Sequence, residues 1–341
     1  MKEKLYIGTY SEGANGGLFW GEFDSETGKI ELKGNYGISN PSYFLVESDF
    51  IVGVSETLEF DNEVGGGLFI MNKKTKEVMN TLPTYGRLPC HLAANQKHIF
   101  VANYLEGIIS IYNCNGYPEV EPVRLTFNHY GHSVNPTRQE APHPHCAVFA
   151  PDGGYLAVCD LGLDQVLFYP YSLDNGLSSA APRVDLTPGY GPRHLTFSKD
   201  GKYMYVVGEM GNTLSTFRYS GGRAELLGEV STLPGDFLGE STVAAVHLSP
   251  DGTQIGVSNR GHDSIAIFDI GNHEDAMPFA PIFVDTGKNP RDFSFSPDGK
   301  WLLVANQNCD CLQVFGLVDG AWKLENSVQL PSPVCVKFDA L

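Results

Sequence analysis

Nowhere in the 341 residues do about 18 apolar residues stand together, so the sequence predicts no transmembrane helix. Basic residues are scarce: 23 Lys and Arg against 40 Asp and Glu give a formal net charge of -17. Such a surface repels phosphate backbones and anionic lipid, which excludes nucleic acid and membrane surfaces as expected partners. The segment Met1 to Ile7 holds no apolar run of signal-peptide length, and a cytoplasmic location is expected. Cysteine is sparse and badly placed for a disulfide framework, with an odd seven scattered at Cys90, Cys114, Cys146, Cys159, Cys309, Cys311 and Cys335. Cys309 and Cys311 form a lone Cys-x-Cys pair with no second pair at zinc spacing, so all seven are expected to be reduced and structural, with no metal site. No Gly-x-Ser-x-Gly elbow is present, which removes the usual signal for a serine nucleophile.

What is present is a repeat. The stretch from Asn289 to Gln307 is a recognisable copy of the stretch from Gly191 to Glu209. Similar segments are anchored at Pro41, Pro89, Pro144, Pro192, Val243, Pro290 and Pro333, with spacings of 48, 55, 48, 51, 47 and 43 residues. A period near 50 residues built of short alternating segments signals a radial β-architecture. Each full copy opens with an alternating strand such as Pro192 to Phe197, and four copies then turn through x-Asp-Gly, as at Asp152-Gly153, Asp200-Gly201, Asp251-Gly252 and Asp298-Gly299. A strand rich in β-branched or aromatic residues follows, then a third and a weaker fourth. After Pro333 only one strand remains, whereas three unassigned strands open the chain at Leu5 to Tyr10, Leu18 to Phe23 and Lys29 to Lys33. One carboxy-terminal and three amino-terminal strands complete a seventh blade and remove its open edge. The prediction is an all-β fold, a seven-bladed β-propeller of four-stranded antiparallel blades, forming a single domain over residues 1–341. WD signatures are absent, which argues against that propeller class.

In such a blade the start of the first strand and the end of the second lie at one mouth of the central channel. Ser42, Cys90, His145, Arg193, Ala244, Arg291 and Val334 follow the anchors; Glu56, Asn103 with Tyr104, Asp160, Glu209, Asn259 with Arg260, and Asn306 with Gln307 end the second strands. Of nine arginines, three fall on this rim, while lysines such as Lys199, Lys202 and Lys300 occupy turns. Guanidinium groups beside His145, Glu209 and amides suit the capture of a carboxylate or phosphate. His145, Arg193, Glu209 and Arg260 differ from blade to blade and complement one another, and are the candidate catalytic cluster. Arg291, His143, Asn103, Asn259 and Gln307 are candidate substrate-binding residues. Asn103, Asp160, Asn259 and Asn306 recur at equivalent places, however, and repeated Asx residues commonly cap turns. His91 and His194 alternate with their rim neighbours and are expected to pack between blades. The residues from Asn115 to Pro142 account for the 55-residue spacing and are expected to arch over the same mouth.

His129-Tyr-Gly-His132, Arg138 to His145, Phe149-Ala-Pro-Asp-Gly153, Asp160-Leu-Gly-Leu-Asp164, Gly191-Pro-Arg-His194, Glu209, Ser258-Asn-Arg-Gly261 and Asn289-Pro-Arg291 together resemble the propeller-type lactonase family. That family embraces 6-phosphogluconolactonase-like and carboxy-muconate-cyclase-like members. The resemblance implies lactone chemistry on a small anionic substrate, with neither metal nor organic cofactor. His145, Arg193, Glu209 and Arg260 match the cluster proposed for the cyclase branch. The leading expectation is hydrolysis of 6-phosphogluconolactone to 6-phosphogluconate, a pentose phosphate pathway step. In it water is activated by Glu209 or His145, while Arg193 and Arg260, with help from Arg291, hold the phosphate and polarise the ester. The alternatives are a cycloisomerase closing a lactone on a muconate-like dicarboxylate and a non-catalytic binding scaffold, which would present a large exposed apolar patch.

Overall fold

Strand and turn chemistry explain each blade from its own residues. The computed structural model describes residues 2–179, 181–271 and 276–339. In the x-Asp-Gly turns, Gly153, Gly201, Gly252 and Gly299 take φ between 69° and 78°, the left-handed conformation that a side chain disfavours. Ser198, Ser249 and Ser296 each donate from Oγ to the turn aspartate Oδ1 at 2.6 to 2.7 Å. The same oxygens of Asp200, Asp251 and Asp298 accept the amides of Lys202, Thr253 and Lys300. These local bonds fix the first strand of a blade antiparallel to its second.

Among the described residues seven blade sheets result, beside a separate two-stranded ribbon of Glu59–Phe60 and Glu63–Val64. The first is Tyr43–Val46, Phe50–Ser55, Gly67–Asn72 and Val78–Pro83; the second is Pro89–Ala94, His98–Asn103, Ile108–Cys114 and Val120–Asn128. The third is Pro144–Phe149, Tyr155–Asp160 and Gln165–Ser172, with its outer position filled by two short pieces, Gly176–Leu177 and Arg183–Asp185. The fourth is Pro192–Phe197, Tyr203–Gly208, Thr213–Ser220 and Arg223–Ser231; the fifth is Thr242–Leu248, Gln254–Arg260, Ser264–Asp269 and Phe279–Asp285. The sixth is Pro290–Phe295, Trp301–Asn306, Cys311–Val318 and Ala321–Gln329. The seventh joins Pro333–Phe338 to Lys2–Thr9, Leu18–Asp24 and Lys29–Tyr36, the closure expected from the two chain ends. Because Val120–Asn128 forms the outer strand of the second blade, the connection into the third is confined to residues 129–143, shorter than the arch expected from the spacing.

Burial follows position in the blade. Second strands such as Tyr155–Asp160 are enclosed on both faces, with Leu156, Ala157, Val158 and Cys159 all 0% exposed, whereas the outer Arg223–Ser231 holds no fully buried residue. Close contacts gather the chain into two compact units: Met1–Pro41, Tyr205–Thr216 and Leu227–Leu341 form one, and Ser42–Met204 and Phe217–Leu226 the other. In the second, the inner strands Tyr43–Val46, Pro89–Ala94, Pro144–Phe149 and Pro192–Phe197 stand in succession, and apolar clusters around Leu92 with Tyr112 and around Phe100 with Leu156 fill the spaces between blades. In the first, Thr242–Leu248, Pro290–Phe295 and Pro333–Phe338 stand in succession over clusters around Phe293 and around Ile7 with Leu312.

One register feature was not visible in the sequence. Pro89 pairs Asn103 and His91 pairs Ala102, which leaves Cys90 as an extra residue. In the same way His145 is extra between Pro144 and Cys146, and Arg291 between Pro290 and Asp292. In the closing strand Val334 is likewise extra between Pro333 and Cys335, so a β-bulge follows the anchor proline in four blades and re-aims the side chain that the sequence placed on the rim.

The cysteines require a correction. Cys309 and Cys311 are joined in a disulfide, with Cα atoms 5.4 Å apart, against the expectation that all seven are reduced. Asp310 between them takes φ 50°, and this left-handed residue folds Cys309 back onto Cys311 within disulfide reach. The other five cysteines are free and buried.

A buried carboxylate ties the sixth blade to the closing strand. Asp292 accepts His247 Nε2 at 2.7 Å and the Val336 amide at 3.1 Å. Burial pushes its pKa up, but the attraction and hydrogen bond of His247, with Lys337 and the Val336 amide, outweigh this and hold it below the usual aspartate value. A depressed folded pKa stabilises the fold above the unfolded value, about 3.9, and that contribution disappears as pH falls through the folded value. Asp292→Asn is therefore expected to flatten the fall of the thermal midpoint with pH below about 4, measured by circular dichroism. An unchanged slope would show that the pair contributes no pH-dependent stability.

Candidate active site

The second unit contributes a run of rings and one guanidinium around the bulged start of the third blade. His145 is 5% exposed; its Nδ1 lies 3.8 Å from Cys90 Sγ, and its ring lies edge-on to Tyr104 at 5.7 Å and to His194 at 5.5 Å. Arg193 is 3% exposed, with Nη1 3.3 Å from His194 Nε2. That geometry gives Nε2 of His194 the acceptor role and its Nδ1 the proton. His143, 2% exposed, donates from Nδ1 to the Tyr104 carbonyl at 2.9 Å, and its ring stacks on Tyr104 at 4.3 Å. His91 packs between blades, stacked on Tyr43 at 3.8 Å and accepting the Ala147 amide at Nδ1.

His194 and Tyr104 are the residues that sequence reasoning left out of the candidate set. His194 was expected to turn away from its rim neighbours, yet its ring faces both His145 and His91. The bulge in the neighbouring blade re-aims the His145 ring, which meets His194 at 5.5 Å. The signal available for Tyr104 was its place beside Asn103 at the end of a second strand.

The first unit, taken by itself, holds an ion pair. Glu209, immediately after Tyr203–Gly208, accepts Arg260 Nη2 at 2.9 Å, and the two side chains are 4% and 12% exposed. Arg260 ends its strand and also donates from Nη2 to the Val243 carbonyl at 2.9 Å. Removing water from such a pair strengthens its interaction and holds the guanidinium in one orientation. Arg291, at its bulge, donates to the Tyr10 hydroxyl at 2.6 Å and lies 4.8 Å over the same ring. Gln307 accepts the Asn289 side-chain amide at 2.9 Å.

The asparagines behave as blade fasteners. Asn103, Asn259 and Asn306 are 0% exposed. Asn103 Nδ2 donates to Ser110 Oγ at 2.9 Å, Asn259 Nδ2 to the Thr232 carbonyl at 2.8 Å, and Asn306 Nδ2 to Gln313 Oε1 at 3.1 Å. Through Nδ2 these enclosed side chains tie the ends of second strands to their surroundings, Asn103 and Asn306 to the third strand of their own blade and Asn259 to the residue after the outer strand Arg223–Ser231. Among the described residues no group of three or more His, Cys, Asp or Glu side chains is arranged to hold a metal ion, and no helix is long and apolar enough to cross a membrane.

Comparison with known proteins identifies the wider group. Residues 4–338 match the family described as Lactonase, 7-bladed beta-propeller. The 6-phosphogluconolactonase of Bacillus subtilis is 31% identical over 343 residues, covering 98% of this chain and 97% of that protein. An uncharacterised protein of Staphylococcus saprophyticus is 35% identical over 345 residues, with 98% of each chain covered. Among solved structures, the periplasmic gluconolactonase of Pseudomonas aeruginosa superposes with a TM-score of 0.88 at 30% identity, covering 100% of this chain and 99% of that one.

Proposed function

We propose, from the premise that this chain belongs to the seven-bladed β-propeller lactonase family, that it hydrolyses a phosphorylated sugar lactone, 6-phosphogluconolactone, to the open-chain acid as a step of the pentose phosphate pathway. The observation that supports an anionic substrate most directly is that each unit holds a nearly buried guanidinium group, Arg193 in one and Arg260 in the other, in a protein whose net charge is -17. A cation kept out of water attracts an anion far more strongly than one on the surface. The Bacillus subtilis 6-phosphogluconolactonase, similar over nearly the full chain, supports the same substrate class.

In this reading water attacks the ring carbonyl and loses its proton to a ring nitrogen of His145, because the Glu209 carboxylate is committed to Arg260 at 2.9 Å. Arg193 stabilises the oxyanion that forms on the carbonyl oxygen as water adds, and the ring C–O bond breaks when that oxyanion collapses. Arg260, oriented by Glu209, holds the phosphate, and Arg291 beside Tyr10 assists it. His145 then returns the proton to the leaving ring oxygen. The reading carries a cytoplasmic location, which the five buried free thiols suit and the Cys309–Cys311 disulfide does not.

The test is the hydrolysis of freshly generated 6-phosphogluconolactone by the purified chain at pH 6.5, against unphosphorylated gluconolactone and a muconate-like dicarboxylate. The expected result is acceleration well above background for the phosphorylated lactone, with kcat/KM at least tenfold above that for gluconolactone. Equal rates on both lactones would remove the phosphate from the reading. Lactone formation from the dicarboxylate without hydrolysis of either sugar lactone would replace it with cycloisomerisation.

A further inference from the structure

Two buried carboxylates lie outside the roles assigned so far. Asp160 ends the second strand of the third blade and Asp164 follows it across a tight turn; they are 0% and 3% exposed. Asp160 Oδ1 accepts the His143 amide at 2.8 Å and the Leu163 amide at 3.1 Å, while its Oδ2 accepts His129 Nδ1 at 2.5 Å. The Nε2 of His129 is then left to accept the Tyr169 hydroxyl at 2.8 Å. Asp164, with φ 55°, accepts the Gly191 amide on Oδ1 at 2.6 Å, and the Gly189 amide and Ser133 hydroxyl on Oδ2 at 2.7 and 2.6 Å.

The partners are not arbitrary. The His143 amide lies two residues before His145, and the Gly191 amide two residues before Arg193. The turn between the carboxylates also grips the connecting segment directly. Leu161 N donates to the His143 carbonyl at 3.0 Å, and Gln139 Nε2 donates to the Leu161 carbonyl at 2.9 Å. At Gly162 an added Cβ would lie 1.9 Å from the Ala141 carbonyl oxygen, so backbone meets backbone without a side chain between them.

Two ionisable carboxyls are an expensive way to fasten a loop, because burial penalises their charge unless every oxygen is bonded. Here the carboxylate oxygens are bonded to main-chain amides and side-chain donors at the entrances to two strands. A carboxylate accepting several amides fixes a segment more rigidly than one amide–carbonyl bond does.

We infer that the Asp160–Asp164 turn is a positioning device for the reaction: Asp160 sets the approach of the chain to His145 and Asp164 sets its approach to Arg193. Neither touches substrate. This rests on the roles proposed above for His145 and Arg193, and it predicts that a small loss of bonding at the turn is felt in turnover before it is felt in stability.

Asp164→Asn supplies the test, because the amide retains one acceptor oxygen but turns an N–H₂ toward an amide donor. Asp160→Asn does the same at the other strand, and Asp185→Asn, an exposed carboxyl on the outer edge of the same blade, is the control. The expected result is a fall in kcat of about tenfold for each turn variant, from displacement of a reacting group, with KM changed less, the thermal midpoint nearly kept, and the control unchanged. Independently of turnover, the side-chain ¹⁵N signals of His145, assigned by their loss in His145→Gln, are expected to move in Asp160→Asn and stay fixed in Asp185→Asn. A lowered thermal midpoint with kcat and the His145 signals unchanged would overturn the inference and leave the turn a structural staple. If the wild-type chain proves inactive on lactones, the functional reading fails, whereas the His145 signals still decide the positioning claim. Should the aspartate variants not fold, Ser133→Ala removes only the connecting segment's bond to Asp164; unchanged kcat there would likewise count against the turn.

Discussion

Arg193→Ala is expected to lower kcat/KM for 6-phosphogluconolactone by about a hundredfold or more, the loss typical of removing a preorganised donor from a developing oxyanion. Arg193 is 3% exposed and its Nη1 meets His194 Nε2 at 3.3 Å, so its charge is held in place and poorly screened before substrate arrives. Little reorganisation then remains for the chemical step. Arg193→Lys is not expected to restore the rate, because an ammonium on a flexible stem cannot reproduce a planar fork. Comparing substrates separates the roles. If Arg193 serves the oxyanion, kcat falls for phosphorylated and unphosphorylated lactones alike. If it holds the phosphate, KM rises for the phosphorylated one alone. A value of kcat/KM within threefold of the unsubstituted chain would sink the assignment.

The features legible in the sequence are those encoded by near neighbours. Pro192, Asp200 and Gly201 announce a strand and its turn because proline and glycine constrain φ locally, and the structure places Gly201 at φ 72°. Pairing of an anchor with the Asx residue ending the next strand, as in Pro144 with Asp160 and Pro290 with Asn306, followed from counting along the hairpin. What escaped the sequence depends on partners distant in the chain. The extra residue at Cys90, His145 and Arg291 exists only relative to the facing strand, so the meeting of His145 with His194 could not be read from alternation. The left-handed Asp310 that brings Cys309 to Cys311 has no single-residue signature, since aspartate adopts that conformation only in some turns. The contrast between Asn103, enclosed within its blade, and Glu209, paired with an arginine from the next blade, was likewise invisible because both simply end second strands.

Removing residues after Ser332 is expected to abolish cooperative unfolding altogether, seen as loss of the thermal transition by circular dichroism and as aggregation on gel filtration. The strand Pro333–Phe338 is the innermost member of the seventh blade, pairing Leu5 with Phe338 and Ile7 with Val336. Val334, Cys335 and Val336 are 3%, 0% and 1% exposed, and Leu5 and Ile7, which they help to enclose, are 0% exposed. Each fully buried aliphatic side chain contributes about 1.5 to 3 kcal/mol. Four such residues, Val334, Val336, Leu5 and Ile7, lost or stripped of shelter together, approach the whole 5 to 15 kcal/mol by which a folded domain exceeds its unfolded state. Two further losses act in the same direction. Asp292 gives up the Val336 amide while staying buried against His247, and Lys2–Thr9 becomes an open edge with unpaired amides and carbonyls. The contribution belongs to the pairing rather than to the chain end that supplies it. Asp339 N already donates to the Lys4 carbonyl at 2.9 Å, so the same segment joined ahead of Lys2 through a short turn forms an ordinary hairpin with Lys2–Thr9. That rearranged chain is expected to recover a cooperative transition close to that of the unaltered protein. A truncated chain melting cooperatively within a few degrees of it would show instead that the other six blades hold the fold without closure.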